Sequence, residues 1–253
     1  MVYFFLLFLG CSVSGDGEFQ AGLAALREGD SSTAIDSLSA SLEAGGRHPA
    51  VYHALGNSLY RLDRKGEAAA AWRRGLLLAP RDGDIAANLD HLRGQFRDRI
   101  DPPTGHRGVF FWQSQLAPVE SGALSSLALA VALSLGLLGR LRRLRGASGV
   151  PASTGWLASA LAILGLLLLV STADAFYGRQ GAVITAQEVD VRSALGPAGV
   201  SLFVLHEGAE VLVEDRTDTH QLIALSDGRK GWVSASTLLS TNPAEPFLTH
   251  TQR

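Results

Sequence analysis

Cysteine is nearly absent from this sequence, and its scarcity excludes two kinds of structure. Cys11 is the only cysteine in 253 residues, so the chain cannot form an internal disulfide or supply a cysteine pair to a zinc site. The seven histidines are scattered and form no His-Glu-x-x-His pattern, the helical arrangement that binds zinc in many peptidases. The sequence therefore predicts no metal site.

Motifs for catalysis are also lacking. The chain has no Gly-x-Ser-x-Gly turn to expose a nucleophilic serine and no Gly-Lys-Ser/Thr loop to hold phosphates. A cysteine peptidase needs a thiol nucleophile, and Cys11 lies in an apolar N-terminal run. We therefore expect a protein that is not an enzyme and that binds no cofactor.

A surplus of positive charge is absent as well. The net charge is −2, so no basic field favours nucleic acid as a partner. Hydrophobic residues, by contrast, make up 47% of the chain, which is high for a soluble protein. The excess is concentrated in residues 121–139 and 156–173, which contain no charged side chain.

These two stretches predict transmembrane helices over residues 116–139 and 156–177. Each stretch approaches the ~20 residues that a helix needs to cross the hydrocarbon layer, whereas soluble helices of this length carry a charged face. Four arginines and no acidic residue follow the first stretch, so the positive-inside rule places the 140–155 loop in the cytoplasm. We expect a hairpin in the inner membrane, with both flanking segments outside the cytoplasm. The arginines are Arg140, Arg142, Arg143 and Arg145.

Small residues recur at four-residue spacing on the first of these helices, at Ala128, Ala132 and Gly136. Small side chains allow another helix to approach closely. The neighbour is either the second helix of the hairpin or a helix of a membrane partner, and the sequence leaves both open.

Residues 1–14 have the character of an export signal. An uninterrupted apolar run extends from Val2 to Leu9 and is followed by small and polar residues. Leu9-Gly10-Cys11 resembles a bacterial lipoprotein box, which makes Cys11 a candidate for lipidation. The alternative is that Cys11 is an ordinary residue of an apolar segment.

Residues 15–99 contain an internal repeat with a period of 34. That period is the length of one tetratricopeptide helix-turn-helix unit, and the second copy resembles the pattern of that family. We expect about two repeats and a capping helix, followed by a linker over residues 100–115. The identical pairs at this spacing are Gly22 and Gly56, Ala34 and Ala68, and Leu42 and Leu76.

Four polar side chains are predicted to face the concave groove of this helical module. The two asparagines among them have a spacing that resembles the peptide-carboxylate clamp of chaperone-binding tetratricopeptide domains. The alternative is that these asparagines cap or bridge neighbouring helices. The four residues are His53, Asn57, Arg61 and Asn88.

From Ala182 onward, short alternating runs separated by turn residues replace the helical period. The order of these runs resembles a bacterial SH3-like domain over residues 182–240, which implies a small barrel that binds peptides or peptidoglycan in some relatives. Trp232 is either a packing residue or part of a ligand surface, and residues 241–253 predict a flexible tail. The segments that carry the resemblance are Asp190-Val191-Arg192-Ser193, Leu205-His206-Glu207-Gly208 and Asp227-Gly228-Arg229-Lys230-Gly231-Trp232-Val233.

The order of these parts is similar to that of the E-type membrane proteins of the bacterial aerotolerance (Bat) group, and the likeness covers nearly the whole chain. It implies a multidomain membrane protein with a tetratricopeptide module, a transmembrane hairpin and an SH3-like barrel. It further implies a non-enzymatic scaffold that acts beside membrane proteins with von Willebrand-type domains and a cytoplasmic MoxR-type ATPase. The alternative function is binding or sensing of peptidoglycan through the SH3-like domain.

Overall fold

The chain forms two compact units in a computed structural model. One unit combines Met1–His106 with Arg179–Arg253, and the other is Arg107–Gly178. The predicted signal segment 1–14, which includes Cys11, lies outside the described residues. The structure describes residues 15–98, 100, 111–145, 152–174, 181–195 and 199–247.

Five α-helices form the first part of the larger unit. They are α1 (Asp16–Glu28), α2 (Ser31–Glu43), α3 (Pro49–Arg61), α4 (Lys65–Leu78) and α5 (Gly83–Arg93). Successive helices pack against one another. The 34-residue period reappears in the helix boundaries, because α4 begins 34 residues after α2, and α5 begins 34 residues after α3.

Glycine permits the same close approach in both helix pairs. A Cβ atom on Gly56 would lie 2.4 Å from Nε1 of Trp72, and a Cβ atom on Gly22 would lie 2.7 Å from Cγ of Leu38. Distances this short are excluded by van der Waals contact, so only glycine fits at either position. The two helix pairs that are related by the sequence repeat therefore also pack in the same way.

The second part of the larger unit is an antiparallel sheet of seven strands in the order β3-β2-β6-β5-β4-β1-β7. The strands are β1 (Gly181–Ile184), β2 (Glu188–Arg192), β3 (Ser201–His206), β4 (Glu210–Arg216), β5 (His220–Ala224), β6 (Lys230–Ser234) and β7 (Leu238–Ser240). Alternate residues of β2 and β6 are buried, as expected for strands with one face in a core. Tight turns at Gly208 and Gly228, both with positive φ, connect successive strands.

The helices and the sheet share one hydrophobic core. Val183 of β1, Leu239 of β7 and Phe247 belong to the same buried cluster as the helix residues. The structure differs here from the flexible tail that was predicted over residues 241–253. The chain from Thr241 to Phe247 packs on the larger unit, and Phe247 is only 6% exposed. The two prolines of this segment indicated a loose chain, but burial of Phe247 anchors it.

The smaller unit is a helical hairpin made of α6 (Pro118–Leu144) and α7 (Ala152–Ala173), preceded by a 3-10 turn at Phe111–Ser114. Both helices are long and apolar enough to cross a membrane. Large apolar side chains such as Leu133 and Ile163 are exposed on them, which is the surface that lipid would cover.

Small and polar residues join the two helices of the hairpin. The Ser125 hydroxyl donates to the Gly165 carbonyl at 2.7 Å, and a Cβ atom on Gly165 would lie 2.8 Å from Cγ of Leu129. Of the small residues on α6, Ala132 is buried, whereas Gly136 has open space around it. The hairpin itself therefore uses part of the small-residue face.

Candidate functional site

Three of the four predicted groove residues come together between α3 and α5. The Asn88 amide donates to Oδ1 of Asn57 at 3.1 Å and lies 3.2 Å from Nε2 of His53. All three side chains are partly exposed. The contact has the form of an inter-helix bridge, which was the alternative to a ligand clamp, and a ligand role for these residues stays a prediction.

Arg61 does not join this cluster. Its guanidinium donates to the Leu26 carbonyl at 3.2 Å, at the end of α1. In this position Arg61 links two helices whose facing residues are 35 apart in the sequence, and it is a second donor to a carbonyl that also accepts the Gly29 N–H at 3.3 Å.

Trp232 lies in β6 with its side chain partly exposed. It pairs with Leu222 on one side and Arg192 on the other. The edge strand β3, which is separated from β6 by β2, carries exposed apolar side chains, among them Leu202 and Val204. This outer face of the sheet contains both apolar and cationic groups, and ligand binding by Trp232 stays a prediction.

A second site, which the sequence did not predict, is centred on Arg74 of α4. Its side chain is fully buried, and its guanidinium donates three hydrogen bonds to backbone carbonyls. The acceptors are Ser240 at 2.9 Å, Glu245 at 2.7 Å and Pro246 at 3.0 Å. Three donors in a planar fork thus bind a stretch of backbone through its carbonyl groups.

An aromatic pair completes the Arg74 site. The Phe247 ring lies 4.9 Å from the Arg74 guanidinium carbon and 6.3 Å from the Tyr52 ring, at a tilt of 59°. Both geometries are favourable for aromatic side chains. Burial lowers the pKa of Arg74 from its ordinary value, while the contacts with Tyr52 and Glu245 raise it.

A cavity of about 230 Å³ adjoins the Phe247 ring. Ser39, Leu42 and Arg47 line it from the helices. The Ser39 hydroxyl is buried and has no hydrogen-bond partner, which is unusual because buried polar groups are nearly always paired. The Arg74 site therefore adjoins a cavity, and the unpaired Ser39 hydroxyl is buried in the wall of that cavity.

Charged pairs fix the sheet on the helices beside this site. Glu210 of β4 is 7% exposed and accepts from Arg73 at 2.7 Å and from Nε of Arg93 at 2.9 Å. The Asp98 carboxylate accepts the backbone N–H of His206 at 2.6 Å. These contacts join residues more than 100 positions apart, so they determine tertiary structure and not local structure.

No group of three or more histidine, cysteine or acidic residues suited to hold a metal occurs among the residues that the structure describes.

One feature of the sequence could have indicated the Arg74 site. Arg74 falls on the helical face of Ala70 and Ala71, at spacings of four and three residues, where a charged residue interrupts small apolar ones. Its acceptors lie at residues 240–246, and no local pattern relates α4 to that segment. Comparison of the chain with protein-family models, curated proteins and solved structures finds no match.

Proposed function

We propose that this protein is a membrane-anchored adaptor that presents protein-binding surfaces outside the cytoplasm, in an envelope complex of the aerotolerance type. Its helices are interpreted as tetratricopeptide repeats and its sheet as an SH3-like barrel. The 34-residue spacing of the helix boundaries supports the first assignment. The seven short antiparallel strands support the second.

One observation carries the proposal. The larger unit is built from chain segments on both sides of the apolar hairpin, and these segments share a core. Segments that share a core must lie in the same compartment, and a chain that leaves and returns to one compartment crosses the membrane an even number of times. Two apolar helices between the segments satisfy that requirement.

The charge of the hairpin supports its orientation. The last turns of α6 carry Arg140, Arg142 and Arg143, and Arg145 follows. Positively charged residues next to a membrane helix favour the cytoplasmic side. With this end inside, the helices and the sheet of the larger unit are both outside.

Cysteine labelling tests the orientation directly. In a Cys11→Ala background, single cysteines replace Asp36 of α2, Asp218 in the turn between β4 and β5, or Leu144 at the end of α6, all of which are exposed. We expect a membrane-impermeant maleimide to label Asp36→Cys and Asp218→Cys in spheroplasts, and Leu144→Cys only after permeabilisation. Labelling of Asp36→Cys and Asp218→Cys from opposite sides would contradict the hairpin.

Affinity purification tests the adaptor role. From mild detergent, the tagged chain should recover membrane-protein partners in stoichiometric amounts, and von Willebrand-type proteins are the expected class. Asn57→Ala combined with Asn88→Ala removes the bridge of the helical groove, and Asp36→Ala provides an exposed control. Recovery of the chain alone would count against the adaptor, and retention of the intact chain on purified sacculi would favour the peptidoglycan alternative.

A further inference from the structure

Residues 243–247, with the sequence Pro-Ala-Glu-Pro-Phe, lie on the helices as a bound peptide lies on a receptor. Arg74 holds the backbone of the segment through carbonyls 245 and 246. Contacts to backbone groups provide affinity without specifying a sequence, and a side-chain pocket then provides specificity. Both kinds of contact are present here.

Phe247 supplies the side-chain contact. Its ring packs between the Tyr52 ring and the Arg74 guanidinium and is 6% exposed. Aromatic anchors in desolvated pockets dominate the binding energy of most interfaces. The prolines at positions 243 and 246 restrict the backbone before binding, and so reduce the conformational entropy that is lost on binding.

The site is larger than the segment that occupies it. The cavity of about 230 Å³ beside Phe247 is lined by Ser39 and Arg47, and the buried Ser39 hydroxyl has no partner. A peptide with a larger side chain in this cavity would make van der Waals contacts that residues 243–247 do not make.

We propose that Tyr52, Arg74 and the adjoining cavity form a peptide-binding site for a Pro-x-x-Pro-aromatic segment, and that residues 243–247 occupy this site in cis. The segment begins with a turn, in which the Glu245 N–H donates to the Asn242 carbonyl at 3.2 Å. A partner that carries a segment of this chemistry displaces residues 243–247. The inference deepens the adaptor role proposed above and depends on it for its biological meaning, but the site can be tested without any partner.

The test uses the full chain in detergent and a fluorescent peptide with the sequence of residues 241–248. Phe247→Ala removes the cis anchor and leaves Arg74 and Tyr52 in place. We expect the peptide to bind this variant at least about tenfold more tightly than it binds the wild type, in which the tethered segment competes at high effective concentration. A matched peptide with alanine in place of its phenylalanine should lose that binding.

Two further measurements make the test decisive. Arg74→Lys in the Phe247→Ala background keeps the charge but cannot form the three-fold contact, so it should weaken peptide binding. Equal affinity of the two peptides, or equal affinity of the variant and the wild type, would overturn the proposal. If Phe247→Ala fails to fold, a chain that ends at Asn242 is titrated with the peptide, and failure of saturating peptide to restore its native circular dichroism also overturns it. The cysteine-labelling and purification experiments do not depend on peptide binding. The adaptor role and the peptide-binding site can therefore each be disproved without the other.

Discussion

The Asp30 carboxylate caps the first turn of α2. It accepts from the Thr33 hydroxyl at 2.6 Å and from the Thr33 backbone N–H at 3.0 Å, and these hydrogen bonds lower the pKa of Asp30 from 3.8 to about 2. Because the folded-state pKa lies below the unfolded one, the stabilisation is present above about pH 4 and is lost as the pH falls through about 2.

We therefore expect Asp30→Ala to lower the melting temperature at neutral pH, and the difference from wild type to shrink as the pH falls from about 4 towards 2. Thermal unfolding at a series of pH values measures this. Asp36→Ala, at an exposed position of the same helix, is the control. A deficit for Asp30→Ala that stays constant over this pH range would show that the charge of the cap contributes nothing.

Single residues also show what the sequence could and could not predict. Asn57 and Asn88 were predicted to face the same groove because the register of the helical repeat places both on helices that line it, and they are in contact. Arg74 was not singled out, because its partners at residues 240–246 are more than 160 positions away. A periodic pattern relates neighbours within a repeat, whereas no pattern relates one arginine to a distant stretch of backbone.

At the scale of elements, the attachment of β4 to α4 and α5 depends on Glu210. Its carboxylate is nearly buried between Arg73 and Arg93, so Glu210→Gln removes the negative charge that these two arginines share. Removal of one partner from a buried ion pair costs about 3 kcal/mol or more, and the partial exposure of Arg93 favours the lower end of that range.

Urea unfolding of Glu210→Gln in mild detergent measures this cost. Glu214→Gln is the matched control, because Glu214 pairs with Lys230 in an exposed salt bridge that contributes about 1 kcal/mol or less. Equal effects of the two substitutions would show that the buried cluster does not hold the sheet on the helices.

The contact between α6 and α7 depends on Gly165, where a Cβ atom would meet Leu129. We expect Gly165→Leu to separate the helices, whereas Gly136→Leu, at a position with open space, should leave them together. Cysteines in place of Ser121 and Thr172, whose hydroxyl oxygens are 2.9 Å apart, report the contact by oxidative cross-linking in a Cys11→Ala background. Cross-linking that survives Gly165→Leu would contradict the packing described above.

The elements themselves were easier to predict than their contacts. The helices of the larger unit follow from a 3.6-residue apolar period and the strands from alternation, and both patterns are local. α6 continues beyond the predicted 116–139 span to Leu144, because the arginines that predict the membrane boundary are also good helix formers. The contacts of β4 with α4 depend on a charge cluster whose members are far apart, and local patterns carry no information about it.

At the scale of the whole molecule, the larger unit should fold without the hairpin. Replacing residues 107–178 with a flexible Gly/Ser linker of about 15 residues joins the two segments of one compact unit. We expect a soluble monomer whose helix and sheet signals disappear together, since the elements share a core. Far-ultraviolet circular dichroism and tryptophan fluorescence, followed through one urea titration, measure this.

The same replacement in a Glu210→Gln chain serves as the comparison, because it weakens the attachment of the sheet to the helices. Two separate transitions in the linked chain with wild-type Glu210 would show that the modules are independent, as the sequence alone had suggested. The order of the helical and β modules could be predicted from the sequence, but their shared core could not. No local sequence pattern shows which surface of a module is buried by another module.

The split construction of the larger unit has a consequence for synthesis. The helix surface that receives Val183, Leu239 and Phe247 is made first, and its complement is translated only after both apolar helices. Until then that surface stays uncovered and is a target for quality-control proteases. In the proposed topology, a chain in which only one of the two apolar helices inserted would leave the two halves in different compartments, so insertion of both helices is a condition for assembly of the larger unit.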